Sequence, residues 1–299
     1  MKKNIIKVGF CVAYDWELLK KSVPIIYELA DIIVFSIDKQ RKSWAGTPYY
    51  FDETAFQSFL LDIDKDKKIQ VYEDDFSMPN LSSIENDNRQ RNLMAKQMGE
   101  GGWHIQIDSD EYFLDFKGFI EYLKKFNANP NFAQKGINIS CGLIPLIKKT
   151  ESGYIYVDYQ GKPIETCPFA TNKPFYSAAR RNGYFNHISP FFVLHETWAR
   201  GEEELLKKIS SWGHDNDFID KESFFRLWQA LDAYNCGFIK NFHPLQGEVW
   251  PALSYKEGKT IEEFLQNFPV PKFPSSKSQL FLNNNRNFAR LKALWSKIF

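Results

Sequence analysis

Three carboxylates crowd the stretch HIQIDSDEYF (104–113): Asp108, Asp110 and Glu111, with an apolar run before them and another after. Acids this close repel one another and resist desolvation, so something must offset their charge. A hard divalent cation, Mg²⁺ or Mn²⁺, does so when carboxylate oxygens bind it and substrate phosphates share it. Sugar hydroxyls gripped by Asp108 and Asp110 are a second use, and a solvated strand exit is the bland one. His195 closes the apolar run SPFFVL far downstream. A neutral imidazole there completes a metal site with Asp108 and Asp110, unless the ring is a core histidine bonded to a carbonyl. An EF-hand loop is excluded, because Phe113 stands where that loop needs glycine.

The elements that would hold these acids follow an α/β pattern. IIKVGFCVAY and DIIVFSID are compact apolar runs with β-branched residues, hence buried strands. Between them Leu18, Leu19, Ile26 and Leu29 have helical spacing, with Pro24 starting or kinking the helix. KIQVYED predicts a third strand, SSIENDNRQRNLMAKQMG a capped helix ending at Gly99, and GGWHIQIDSDE a fourth strand. Strand, helix and strand in that order predict parallel pairing. Asp15, Asp38 and the Asp108–Asp110 pair then fall at the carboxyl ends of strands, where open α/β sheets bind ligands. Further on, GINISCGLIPLI, GYIYVDY and ISPFFVLHE predict strands and GEEELLKKISSWG a helix, while 240–285 reads as loop.

Composition excludes several classes. The chain has 299 residues, 43% apolar and 25% charged, as a globular protein does. Net charge is +1, so no global field draws it to nucleic acid. Cys11, Cys141, Cys167 and Cys236 form no C-x-x-C pair, which fits reduced thiols and a cytoplasmic setting. The opening residues read as a strand, and no run approaches the roughly 18 apolar residues of a bilayer span. The tail RNFARLKALWSKIF carries Phe288, Leu291, Leu294, Trp295 and Ile298 near helical spacing, with basic residues and no acid. Such a helix over 286–299 either lies on an anionic membrane or packs back on the domain.

The first half resembles nucleotide-sugar-dependent glycosyltransferases of the GT-A fold, most like family 2. The residues that carry this are KVGFCVAYD, the strand ending at Asp38, RQRNLMAKQMG with Arg91–Asn92, and WHIQIDSDEYF. The stretch HETWARGEEELLKKISSWGHDND resembles the H-x-[ST]-W, lysine-bearing helix and histidine pattern of family 17, whose members transfer N-acetylglucosamine; its D-x-D-E also matches 108–111. The resemblance implies a Rossmann-like, mixed and mostly parallel sheet flanked by helices over 1–250. It implies a nucleotide-binding half (1–115), an acceptor half (116–250) and a C-terminal extension over 251–299. It further implies a metal-dependent, inverting transfer from a nucleotide sugar, UDP-linked by expectation, to a glycan or lipid-linked acceptor. By the same resemblance Tyr14, Asp15, Asp38, Arg91 and Asp108 contact the nucleotide, and Asp108 and Asp110 the metal on its diphosphate.

Other candidates rest on residue type alone. Asp215, Asp217 and Glu111 are candidates for the general base. Trp198 and Trp250 present rings that could stack on an acceptor sugar or pack in the core, and His214 stands at a helix end among them. Arg180, Arg181, Lys207 and Lys208 are candidates for phosphate contact. Two rivals use the same acids. A phosphatase of the D-x-D-x-[TV] kind departs at Tyr112. A nucleotidyltransferase needs a glycine-rich loop after strand one, and AYDWELLKK has none. A binding module without turnover remains the third reading.

Overall fold

A computed structural model of the chain describes residues 4–131, 133–211, 220–245, 249–273, 276–288 and 291. The expected α/β class holds. Strands β1 (Ile6–Val12), β2 (Ile32–Asp38), β3 (Ile69–Asp74) and β4 (Trp103–Asp108) alternate with helices α1 (Leu19–Ile26), α2 (Glu53–Ile63) and α3 (Ser83–Gln97). β1 pairs in parallel with β2 on one side and β4 on the other, and β3 extends β2, so the spatial order is β4-β1-β2-β3. The connection through α3 returns across the sheet, which makes the gap between β1 and β4 the point where strand order reverses.

Burial explains this layout. All seven residues of β1 are buried, as a strand covered on both faces requires. Val8, Phe10 and Val12 join Leu19, Val23, Phe56 and Phe59 from α1 and α2 in one cluster. Cys11 and Val34 point the other way, to Met94 and Met98 at the end of α3. A Cβ on Gly9 would lie 2.8 Å from Met94 Sδ, so α3 sits flush on β1 only because residue 9 is glycine. Asp52 caps α2 by accepting from the Ala55 N–H, and Ser82 with Glu85 forms a capping box on α3.

The second half completes the sheet in antiparallel fashion. After β5 (Glu111–Phe113) and α4 (Phe116–Leu123) come β6 (Ile137–Lys149), β7 (Gly153–Asp158), β8 (Thr166–Thr171) and β9 (Phe185–His195). β8 pairs with both β4 and β6, and β9 lies between β6 and β5. Then follow α5 (Glu202–Ser211), α6 (Lys221–Ala230), β10 (Ala252–Glu257), α7 (Ile261–Asn267) and α8 (Lys277–Asn283). Here the loop expected over 240–285 is corrected. β10 pairs with β7 at the sheet edge, and α7 buries Ile261 and Phe264 in a cluster with Tyr112 and Tyr154. Among the described residues no helix is long and apolar enough to cross a membrane. Most of the basic tail after 288 lies outside them.

Candidate functional site

The carboxyl ends of β1, β2 and β4 open into a cleft with about 800 Å³ of empty space, its mouth included. Tyr14 and Asp15 follow β1, Asp38 ends β2, and Asp108 ends β4 with Ser109 and Asp110 just beyond it. Trp44, Gln90, His195 and Lys208 supply the far walls. The two stretches that carry the glycosyltransferase resemblance meet here: β5 pairs with β9 so that Glu111 lies opposite His195, and the Glu196 N–H donates to the Asp110 carbonyl at 2.8 Å.

Asp108, Asp110 and His195 therefore come together as expected. The groups that neutralise them, however, are side-chain cations. Arg91 donates to Asp108 Oδ1 at 2.9 Å and to Asp87 at 2.6 Å. Arg180 grips both oxygens of Glu111, at 2.7 and 2.6 Å, and lies 3.8 Å from Asp108. Arg200 and Lys208 both donate to Asp110 Oδ2, at 2.6 and 2.7 Å, and Arg200 also reaches Asp15 at 2.9 Å. The His195 ring lies 3.4 Å from Asp110 Oδ1. Burial pushes the Asp110 carboxyl up, but Lys208, His195 and Arg200 more than offset this and hold it well below the usual carboxylate range. Burial likewise opposes ionisation of Asp108, and Arg91 and Arg180 outweigh it.

This corrects the expected Mn²⁺ or Mg²⁺ site at Asp108, Asp110 and His195. A divalent ion needs free oxygen ligands and repels ammonium and guanidinium neighbours. Asp110 Oδ2 already accepts two cations, and Asp108 Oδ1 a third. Among the described residues no three His, Cys, Asp or Glu side chains are arranged to hold a metal. The donor set does not fit the ion.

Other expectations divide. Tyr14 and Asp15 line the cleft. Asp38 also borders it, yet its carboxylate accepts the backbone N–H groups of Gln40, Lys42, Phe76 and Ser77 at 2.9–3.1 Å. Its acceptor capacity is filled, so it shapes the cleft and does not reach a nucleotide. Arg91 is 2% exposed and sits behind Asp108, an internal counter-ion rather than a ligand contact. Glu111 is 1% exposed, bound twice by Arg180, and accepts the Asp108 N–H at 2.8 Å, which removes it as general base. Trp198 and Trp250 are buried in the cluster around α6 and cannot stack on an acceptor. His214, Asp215 and Asp217 lie outside the described residues.

Arg200 was not singled out by sequence reasoning. A signal existed: it immediately precedes Gly201 and α5, and a cation at the positive end of a helix dipole is unfavourable unless an anion faces it. Ser109 Oγ and Arg200 Nε are buried without a hydrogen-bond partner. Each such group costs about 1–3 kcal/mol unless a ligand satisfies it.

No protein-family model matches the chain. No curated protein matches it. Solved structures that share a slight likeness include two nucleotide-related enzymes. The crystal structure of 4-diphosphocytidyl-2C-methyl-D-erythritol synthase has 14% identity over 56% of this chain and 73% of that one, with a TM-score of 0.32. UDP-glucose pyrophosphorylase complexed with UDP-glucose has 10% identity over 88% and 96%, with a TM-score of 0.29. At such scores neither says what this chain does, and the resemblance to families 2 and 17 rests on its motifs alone.

Proposed function

We propose that the chain is a glycosyltransferase of GT-A type, which takes a sugar from a nucleotide donor to a glycan or lipid-linked acceptor. The observation that carries this is the placement of the cleft. It opens at the strand-order reversal between β1 and β4, with Tyr14 and Trp44 as aromatic walls and Lys42 and Lys208 among its lining. In this reading a base lies against the aromatic rings and the diphosphate points to the β4 end. The bond from the anomeric carbon to the diphosphate oxygen breaks, and its electron pair leaves with the diphosphate. The acceptor oxygen bonds to the same carbon, and its proton passes to a base on the cleft wall. His195 lines the cleft with Asp110 3.4 Å from its ring, and we assign it that role.

The nucleotidyltransferase alternative uses the same cleft but needs a backbone loop to wrap a triphosphate. Residues 13–21 contain no glycine, and the buried Trp16 fills that turn. The test is a thermal-shift panel of UDP-, GDP-, CMP- and dTDP-sugars, followed by product analysis with the one that binds. Release of nucleoside diphosphate with an added acceptor supports sugar transfer. Release of pyrophosphate from a nucleoside triphosphate and a sugar 1-phosphate supports the alternative. No shift with any donor removes the reading.

A further inference from the structure

We infer that Arg200 and Lys208 take the place of a divalent ion, so that the donor's diphosphate is held by side-chain cations and binds without metal. The inference rests on the nucleotide-sugar reading of the cleft and departs from the metal dependence that a D-x-D implies.

Three observations carry it. First, the acids at 108–111 are compensated by Arg91, Arg180, Arg200 and Lys208; the two oxygens that no cation bonds, Asp108 Oδ2 and Asp110 Oδ1, lie 3.8 Å from Arg180 and 3.4 Å from the His195 ring, so a divalent ion there would sit against fixed positive charge. Second, Lys208 on the cleft wall and Arg200 behind the lining residues Asp15 and Asp110 are not used up by their carboxylates. Lys208 lines the cleft and carries three donors, one of which meets Asp110. Arg200 bonds Asp15 and Asp110 through one terminal nitrogen, while its buried Nε has no acceptor. Ser109 Oγ, on the cleft wall between the two aspartates, is equally unpartnered. Unused donors buried beside a cleft call for an anion with several oxygens, and a diphosphate is one. Third, both cations are fixed in place. Lys208 is 8% exposed on α5 and Arg200 is 8% exposed just ahead of that helix, so little ordering remains when phosphate arrives. During transfer, negative charge grows on the leaving diphosphate, and these cations face where it grows. Asp110 then acts as a positioning residue. It holds the pair together while the cleft is empty and competes with phosphate for it.

The test is calorimetric titration of the full chain, stripped with chelator, with UDP, GDP, CDP and dTDP, each with and without Mn²⁺. We expect one diphosphate to bind with affinities that agree within about threefold in the two conditions, because the charge it meets is already there. Lys208→Met, which keeps the buried stem, is expected to weaken that binding about tenfold or more in both conditions, the scale of one charged hydrogen bond. Asp110→Asn should leave binding intact or tighten it, since it removes the competing charge from Lys208 and leaves Arg200 only Asp15, and its unfolding curve checks that the fold survives. Binding that needs Mn²⁺ and is abolished by Asp110→Asn would overturn the inference while leaving the nucleotide reading in place. Metal-free binding that Lys208→Met does not change would overturn it too. Failure of every diphosphate in both conditions would overturn the nucleotide reading itself, and the inference with it.

Discussion

Glu111→Gln separates a structural acid from a catalytic one. Glu111 is 1% exposed, and both of its oxygens accept from Arg180. Glutamine keeps the shape and one acceptor but removes the charge. Arg180, 7% exposed, is then left with Asp108 at 3.8 Å and the Gln106 carbonyl at 3.1 Å. Breaking one partner of a buried pair costs about 3–5 kcal/mol, and the retained acceptor puts this change near the lower end, about 3 kcal/mol. For a domain of this size that is a fall in melting temperature of roughly 6 °C. Arg180→Met should cost a similar amount, because it strands Glu111 and also removes the guanidinium from over the Phe169 ring. The double variant should cost clearly less than the two singles together, by about 2 kcal/mol, since neither charge is then stranded. Thermal unfolding followed by circular dichroism measures all of this, and diphosphate affinity should stay within about threefold of wild type in each folded variant. The reasoning is refuted if Glu111→Gln melts within about 1 °C of wild type while sugar transfer falls by about 10³-fold, for that is how a general base behaves.

Three further outcomes follow from the same geometry. Asp38→Ala removes the acceptor of four backbone N–H groups and should destabilise by about 3–5 kcal/mol in urea unfolding, with the loop that carries Trp44 losing its shape. Trp44→Ala removes a cleft wall and should weaken nucleotide binding about tenfold, on the scale of base stacking, beside the fall in melting temperature from its lost Gln90 hydrogen bond; equal affinity would place the base elsewhere. The pH dependence of diphosphate binding has a definite sign. Burial, with Arg200 beside it, lowers the Lys208 pKa against the pull of Asp110 and Asp15. The ammonium is present below that value and lost above it, so affinity should fall on the alkaline side at a pH below the ordinary lysine value of about 10.4. Calorimetry across that range reads the limb, and Lys208→Arg should shift it upward.

The parallel half of the fold is written plainly in the chain. β1 and β2 are unbroken apolar runs because helices cover both faces, and such runs need no knowledge of the partner strand. The position of the acids beyond β4 followed from element order alone. β8 and β10 were less visible. TCPFAT contains a proline, and ALSYKE is a short edge strand whose pairing with β7 is not local. The cluster was half legible. Asp108, Asp110 and His195 do meet, and Arg180 and Lys208 were candidates for phosphate. What compensates the acids was hidden, because a carboxylate in sequence looks the same whether an ion or an arginine some ninety residues away faces it. Trp198 shows the same limit: an aromatic beside a functional histidine reads as a stacking platform until its burial is known.

The central claim is that a nucleoside diphosphate occupies the cleft between the ends of β1 and β4, with its phosphates on Arg200 and Lys208. A crystal structure grown with the diphosphate that binds and with Mn²⁺, using anomalous scattering to locate the metal, tests it most directly. The account predicts phosphate oxygens at about 3 Å from Lys208 Nζ and Arg200 Nε, with no anomalous peak between them and Asp110. A manganese ion bound by Asp108 and Asp110, with Arg200 and Lys208 swung away, would contradict it.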